Sequence, residues 1–133
     1  MIVADTNLIA YLLIRGQHSE QAEAVYTKDP RWVAPLLWRS EFRNILAVYI
    51  RKGLMDLNDA YEIMGQAERL MAGQEFEVVS AGVLQLAASS GRSAYDCEFV
   101  ALAQNLGVTM VTSDRMLAAR FKPTVSSMTE FCS

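Results

Sequence analysis

The chain has little cysteine, a single histidine, no excess of positive charge and no long apolar run. Its two cysteines, Cys97 and Cys132, lie among apolar or small residues without metal-ligand spacing. That excludes a disulfide framework and a thiolate metal site. Both are read as reduced, and the compartment as cytoplasmic. No stretch approaches the roughly 20 apolar residues of a membrane span. The N-terminus runs straight into a strand pattern, without the basic segment of a signal peptide. Lys and Arg number 12 against 15 Asp and Glu, a formal net charge of −3. The broad basic footprint of a non-specific nucleic-acid binder is therefore missing. An acidic, metal-loaded site that works on a phosphate backbone is compatible with that balance. Repeats and linkers are absent too. With 133 residues, 52% hydrophobic and 20% charged, the chain is expected to form one ordered domain over 1–133.

What is present is an alternation of strand and helix patterns. Met1-Ile2-Val3-Ala4 is a short apolar run of the kind buried on both faces of a parallel sheet. It stops at Asp5-Thr6-Asn7, residues that cap the helical pattern through Leu8, Ile9, Leu12 and Leu13. A second helix opens near Ser19, and Trp32-Val33-Ala34 reads as a second strand closed by Pro35. The spacing predicts a long helix from about Leu36 to Lys52, with Leu37, Ile45 and Val48 as its apolar stripe and Phe42, Leu46 and Tyr49 beside it. Glu41 falls on that stripe. A carboxylate there needs a partner or a metal, because stranding it costs several kcal/mol. A pair with Arg39 or Arg43 at the stripe's edge is the structural alternative, although residues two apart do not face each other on a helix.

An amphipathic helix through Tyr61, Met64 and Leu70 follows, capped by Asp56 or Asn58. Phe76-Glu77-Val78-Val79 reads as a third strand and Ser80 as the cap of a short helix. Ser93-Ala94-Tyr95-Asp96 matches a capping box before Phe99-Val100-Ala101-Leu102-Ala103. Asp96 could be the reciprocal cap, yet it shares a helix face with Phe99, Val100 and Ala103. Glu98 points to the other side and reads as solvated surface, as does His18 in its loop. Val108-Thr109-Met110-Val111-Thr112 is a β-branched strand that stops at Ser113-Asp114, repeating the pattern at Asp5. A short helix and an edge strand at Thr124-Val125-Ser126 close the chain. The alternation implies an α/β fold with three layers, helices on both faces of a mostly parallel sheet.

Right-handed crossovers bring the carboxyl ends of parallel strands to one edge. Asp5 and Asp114 follow strands at that edge, and Glu41 and Asp96 sit in first turns of helices that begin near it. Two like charges about 5 Å apart, at an effective dielectric near 20, repel by roughly 3 kcal/mol. Four such acids call for cations or protons. Hard oxygen ligands without histidine or cysteine select Mg²⁺ or Mn²⁺, ions suited to phosphoester hydrolysis.

The opening Val3-Ala4-Asp5-Thr6-Asn7, Ser40-Glu41-Phe42, Tyr95-Asp96 before Phe99-Val100-Ala101-Leu102-Ala103, and Thr112-Ser113-Asp114 together resemble the PIN domain, in its VapC-like branch of bacterial toxins. The match runs along essentially the whole chain in compatible order. The resemblance implies a parallel five-stranded sheet, a Mg²⁺-dependent endoribonuclease, a homodimer and a small antitoxin that blocks the site. It implies Asp5, Glu41, Asp96 and Asp114 as the acidic metal-site residues, with Thr6, Asn7 and Thr112 in support. Glu98 stands nearest to a further acid of the family pattern, at an offset from it. Two other readings have the same alternation. A phospho-signalling receiver domain needs an acceptor Asp after the third strand, and Val78-Val79-Ser80 has none. A binding module that keeps the fold without catalysis would not need all four acids.

Overall fold

Three consecutive apolar residues, all buried, make β1 (Ile2–Ala4), as a strand covered by helices on both faces requires. The computed structural model describes residues 1–133. The chain continues through α1 (Thr6–Leu13), α2 (Ser19–Lys28), β2 (Trp32–Pro35), α3 (Trp38–Arg51), α4 (Leu57–Leu70) and β3 (Glu75–Phe76). It then forms α5 (Ser80–Ser90), α6 (Ala94–Leu106), β4 (Thr109–Thr112), α7 (Arg115–Arg120), β5 (Val125–Ser127) and α8 (Met128–Cys132). All five strands run parallel, in the order β3-β2-β1-β4-β5. Ile2 stands level with Trp32 on one side and Thr109 on the other, so β1 is central. Right-handed crossovers set α1 to α4 on one face and α5 to α7 on the other, and α6 packs across β1, β2 and β4. This is the three-layer α/β/α architecture that the alternation implied. No helix is long and apolar enough to cross a membrane.

The topology explains where ligands belong. From β1 the chain moves outward to β2 and β3, then returns past β1 to β4 and β5. The crevice at such a reversal, beyond the carboxyl ends of the strands, is where open α/β sheets bind ligands. Helix α3 starts just after β2 and therefore at this edge. Helix α6 runs back toward the start of β4 and therefore also begins here. It is anchored by Phe99, Val100, Leu102 and Ala103, all buried, and each large apolar side chain so covered contributes about 1.5–3 kcal/mol. Gly107 ends α6 with φ of 67°, a left-handed conformation that glycine adopts without Cβ strain.

The structure departs from expectation in three elements. On α3 the fully buried row is Trp38, Phe42 and Leu46, while Glu41 and Ile45 lie half-buried on its flank. Both rows are apolar at helical spacing, and the bulkier one took the core. β3 spans only Glu75–Phe76 and does not reach Val79, which is 62% exposed. Glu75 is fixed there by Trp38 Nε1 at 2.7 Å and by Arg39 Nε at 2.5 Å and Nη2 at 2.9 Å. Helix α8 was not expected. Ser127 caps it, its Oγ accepting from the Glu130 backbone N–H at 3.1 Å.

Candidate active site

The register sets Ala4 beside Val111, and the Asp5 backbone N–H donates to the Val111 carbonyl at 3.1 Å. Asp5 therefore stands level with Thr112, and Asp114 follows two residues beyond it at the same edge. Together with Glu41 and Asp96 they line one open cleft of about 280 Å³, whose walls include Thr6, Asn7, Asn44, Ile45 and Leu117. All four expected acids meet here.

Each carboxylate is held differently. Asp5 caps α1, its Oδ1 accepting from the Asn7 N–H at 3.4 Å, while its Oδ2 accepts from Thr112 Oγ1 at 2.5 Å. Glu41 Oε1 accepts from Thr6 Oγ1 at 2.7 Å. Asp114 caps α7, its Oδ1 accepting from the N–H groups of Met116 and Leu117, both at 3.0 Å. Its Oδ2 takes a 2.6 Å bond from Arg92 Nη2, and the same nitrogen donates to Asp96 Oδ2 at 3.0 Å. Thr112 is wholly buried and also accepts from the Asp114 N–H at 3.1 Å. One hydroxyl thus orients Asp5 and the turn that carries Asp114. Thr6 and Thr112, expected as supporting residues, each donate a hydrogen bond to one of these carboxylates. Asn7 contributes its backbone N–H and a place on the cleft wall.

The capping box at Ser93 is only half formed. Ser93 Oγ accepts from the Asp96 N–H at 3.0 Å, and the carboxylate of Asp96 turns to Arg92 and the cleft. The cap therefore uses the backbone of Asp96 and leaves its charge for the site.

The electrostatics set Asp114 apart from Asp5 and Glu41. Burial pushes the Asp5 carboxyl above its ordinary 3.8, a rise that Thr112 opposes and the charge of Asp96 reinforces. Burial likewise raises Glu41 above 4.5; Thr6 opposes this, and Asp5, Asp96 and Glu98 add to it. Asp114 moves the other way, held down by the Leu117 N–H and by Arg92. Glu98 is half-buried, its carboxyl raised by desolvation, and its charge is felt at Glu41. Glu98 was expected on the solvated surface; it is half-buried and is not among the residues that line the cleft.

Sequence reasoning missed Arg92 and Asn44. The four-residue spacing from Arg92 to Asp96 was a usable signal. Its other partner, Asp114, lies 22 positions away, beyond any local pattern. His18 is exposed as expected, with its ring 4.6 Å from that of Tyr11.

The sequence pattern of the PIN domain matches residues 2–121. The chain belongs to the PIN domain family. Among its relatives is a protein named Ribonuclease VapC3 from Pyrobaculum aerophilum, 29% identical over 128 residues, covering 94% of this chain and 98% of that one. This PIN fold is shared with the crystal structure of PAE2754 from Pyrobaculum aerophilum, at a TM-score of 0.77 and 20% identity, over 98% of this chain and 85% of the other. It is shared also with FitAcB from Neisseria gonorrhoeae, at a TM-score of 0.72 and 20% identity, over 96% and 98%. FitAB bound to an IR36 DNA fragment has a TM-score of 0.72 at 21% identity, over 96% and 95%. The four acids of this PIN domain come from the turn between β1 and α1, from α3, from α6 and from the turn after β4.

Proposed function

We propose that this PIN domain is a metal-dependent endoribonuclease, the toxin of a bacterial toxin–antitoxin pair. The observation that carries the reading is the convergence of Asp5, Glu41, Asp96 and Asp114 on one cleft at the topological switch point. The relative named Ribonuclease VapC3, covered over nearly its whole length, supports RNA as the substrate.

The donor set suits Mg²⁺ or Mn²⁺. All the candidate ligands are hard carboxylate oxygens, and two of them are pushed toward protonation by burial and mutual repulsion. A cation at the cleft relieves that repulsion. No three of the acids are drawn together as a ready-made ligand group. Mg²⁺ does not require one, since it keeps several waters and binds through one or two carboxylates. Its ligands would be drawn from among Asp5, Glu41, Asp96 and Asp114. When bound, such an ion activates water and neutralises charge on a phosphodiester.

The chain's own residues do the positioning. Thr112 and Thr6 aim the carboxylates of Asp5 and Glu41 and leave further lone pairs free. Arg92 ties Asp96 to Asp114, fixing the α6 wall against the β4–α7 turn. Asn44 adds an amide beside Glu41 at the cleft wall. An antitoxin that inserts a basic side chain among these carboxylates would silence the site through charge-assisted hydrogen bonds, and we infer a homodimer as the working form. Incubating the purified chain with structured RNA in Mg²⁺ and in EDTA tests the reading. Cleavage in Mg²⁺ alone is expected, along with growth arrest on expression that the antitoxin relieves. Intact RNA under both conditions would overturn it.

A further inference from the structure

A second cleft, of about 170 Å³, adjoins the first. The two share a wall: Thr112 and Ser113 line the second cleft, and Asp114 and the Thr112 partner Asp5 line the first. Its chemistry is the opposite. Tyr11, His18, Thr112, Ser113, Arg115 and Thr129 are among its lining residues, and no carboxylate is. Arg115 is exposed and takes part in none of the chain's ion pairs. Glu130 lines the depression on the far side of Arg115 and does not pair with it either. The Thr129 hydroxyl accepts from Gln21 Nε2 at 2.9 Å, closing the far wall between α2 and α8. His18 is exposed at this cleft, with its ring 4.6 Å from that of Tyr11.

We infer that this cleft is a subsite for a backbone phosphate of the RNA strand, flanking the phosphodiester at the acidic cleft. It rests on the ribonuclease reading and adds the direction in which the strand leaves the site. A chain of net charge −3 with four acids at its reaction centre repels RNA there. The strand needs cationic and hydroxyl donors close by, and phosphate contacts of this kind set register and orientation. Arg115 supplies the charge, in a planar fork that fits phosphate oxygens. Ser113 supplies a hydroxyl. The residue next to them in sequence is Asp114, so one turn holds both the strand's anchor and an acid of the site.

The test is binding of a fluorescein-labelled single-stranded RNA of mixed sequence, followed by anisotropy across a salt series. All proteins carry Asp96→Asn, so that RNA is bound without being cut. Adding Arg115→Ala is expected to weaken binding roughly tenfold, and to reduce the slope of log affinity against log salt by about 0.7, the value for one phosphate contact on a single strand. Arg115→Lys should keep most of the slope. Arg69→Ala, which removes the same charge from exposed α4, should change little. Unchanged affinity and slope in Arg115→Ala, or an equal loss in Arg69→Ala, would overturn the subsite and leave the nuclease reading intact. A parent that binds RNA while the wild type fails to cut it would sink the nuclease reading instead. A parent that does not bind RNA would sink both.

Discussion

Asp96→Asn separates chemistry from architecture because the structure divides the residue's two roles between different atoms. The cap of α6 is made by Ser93 Oγ and the Asp96 backbone N–H at 3.0 Å, which the substitution leaves in place. The side chain loses its charge opposite Arg92, a pair at 3.0 Å whose partners are 25% and 36% exposed. Solvent screening at that exposure limits the pair to about 0.5–1 kcal/mol. Against this loss, the mutation removes a negative neighbour of Asp5 and Glu41, and that relief offsets part of the cost. The net change in metal-free stability is thus expected within about 1 kcal/mol, or roughly 2–4 °C in Tm for a domain of this size. The effect on catalysis is of another order. A lost metal ligand that raises the barrier by about 3 kcal/mol lowers the rate more than 100-fold. Thermal melts in EDTA, paired with cleavage of structured RNA in Mg²⁺, read both quantities. If Asp96→Asn cleaves like wild type, Asp96 is not part of the reaction centre and the four-acid site is wrong.

Two further perturbations follow from the same geometry. The raised Asp5 and Glu41 hold protons more tightly folded than unfolded, so metal-free stability should fall as pH rises from the ordinary values of 3.8 and 4.5 through their raised ones. Asp114, held low, adds the opposite trend below 3.8. Mn²⁺ at near-neutral pH should restore the loss, by about 2.7 kcal/mol at 100 times Kd; melts that show no metal effect at that pH would contradict this. Thr112→Val keeps the shape and removes the hydroxyl that serves Asp5 and the Asp114 N–H. A cost of about 1–3 kcal/mol is expected, with reduced activity at every metal concentration; a neutral melt and full activity would refute the orienting role.

Much of this fold could be read from the chain itself, and the failures have physical causes. β1 was visible as a continuous apolar run and β4 as a β-branched one, and each is followed within two residues by an acid. That logic of strand ends placed Asp5 and Asp114, and topology then brought Glu41 and Asp96 beside them. The buried row of α3 was misjudged because Leu37, Ile45 and Val48 are as apolar as Trp38, Phe42 and Leu46, and periodicity alone does not say which row faces the sheet. Glu41 was still found, since a half-buried flank at the cleft also strains a carboxylate. β3 was overextended because Val78 and Val79 have strand propensity, yet β3 pairs on one side only, with β2, and Val79 stays exposed. The capping pair Ser127 and Glu130 was a legible start signal for α8 that the short tail obscured. Arg92 was missed although its spacing to Asp96 was legible, because its tie to Asp114 spans 22 positions and shows only in the fold.

The central claim is that a divalent ion held by these carboxylates cleaves RNA. It is tested most directly by following RNA cleavage along a Mn²⁺ titration while bound Mn²⁺ is counted in the same samples by electron paramagnetic resonance, for wild type and Asp5→Asn. Activity should rise in step with the bound ion in the wild type, and both should vanish in EDTA and in Asp5→Asn. Cleavage that persists in EDTA, or Asp5→Asn that binds Mn²⁺ and cuts RNA as the wild type does, would contradict the account.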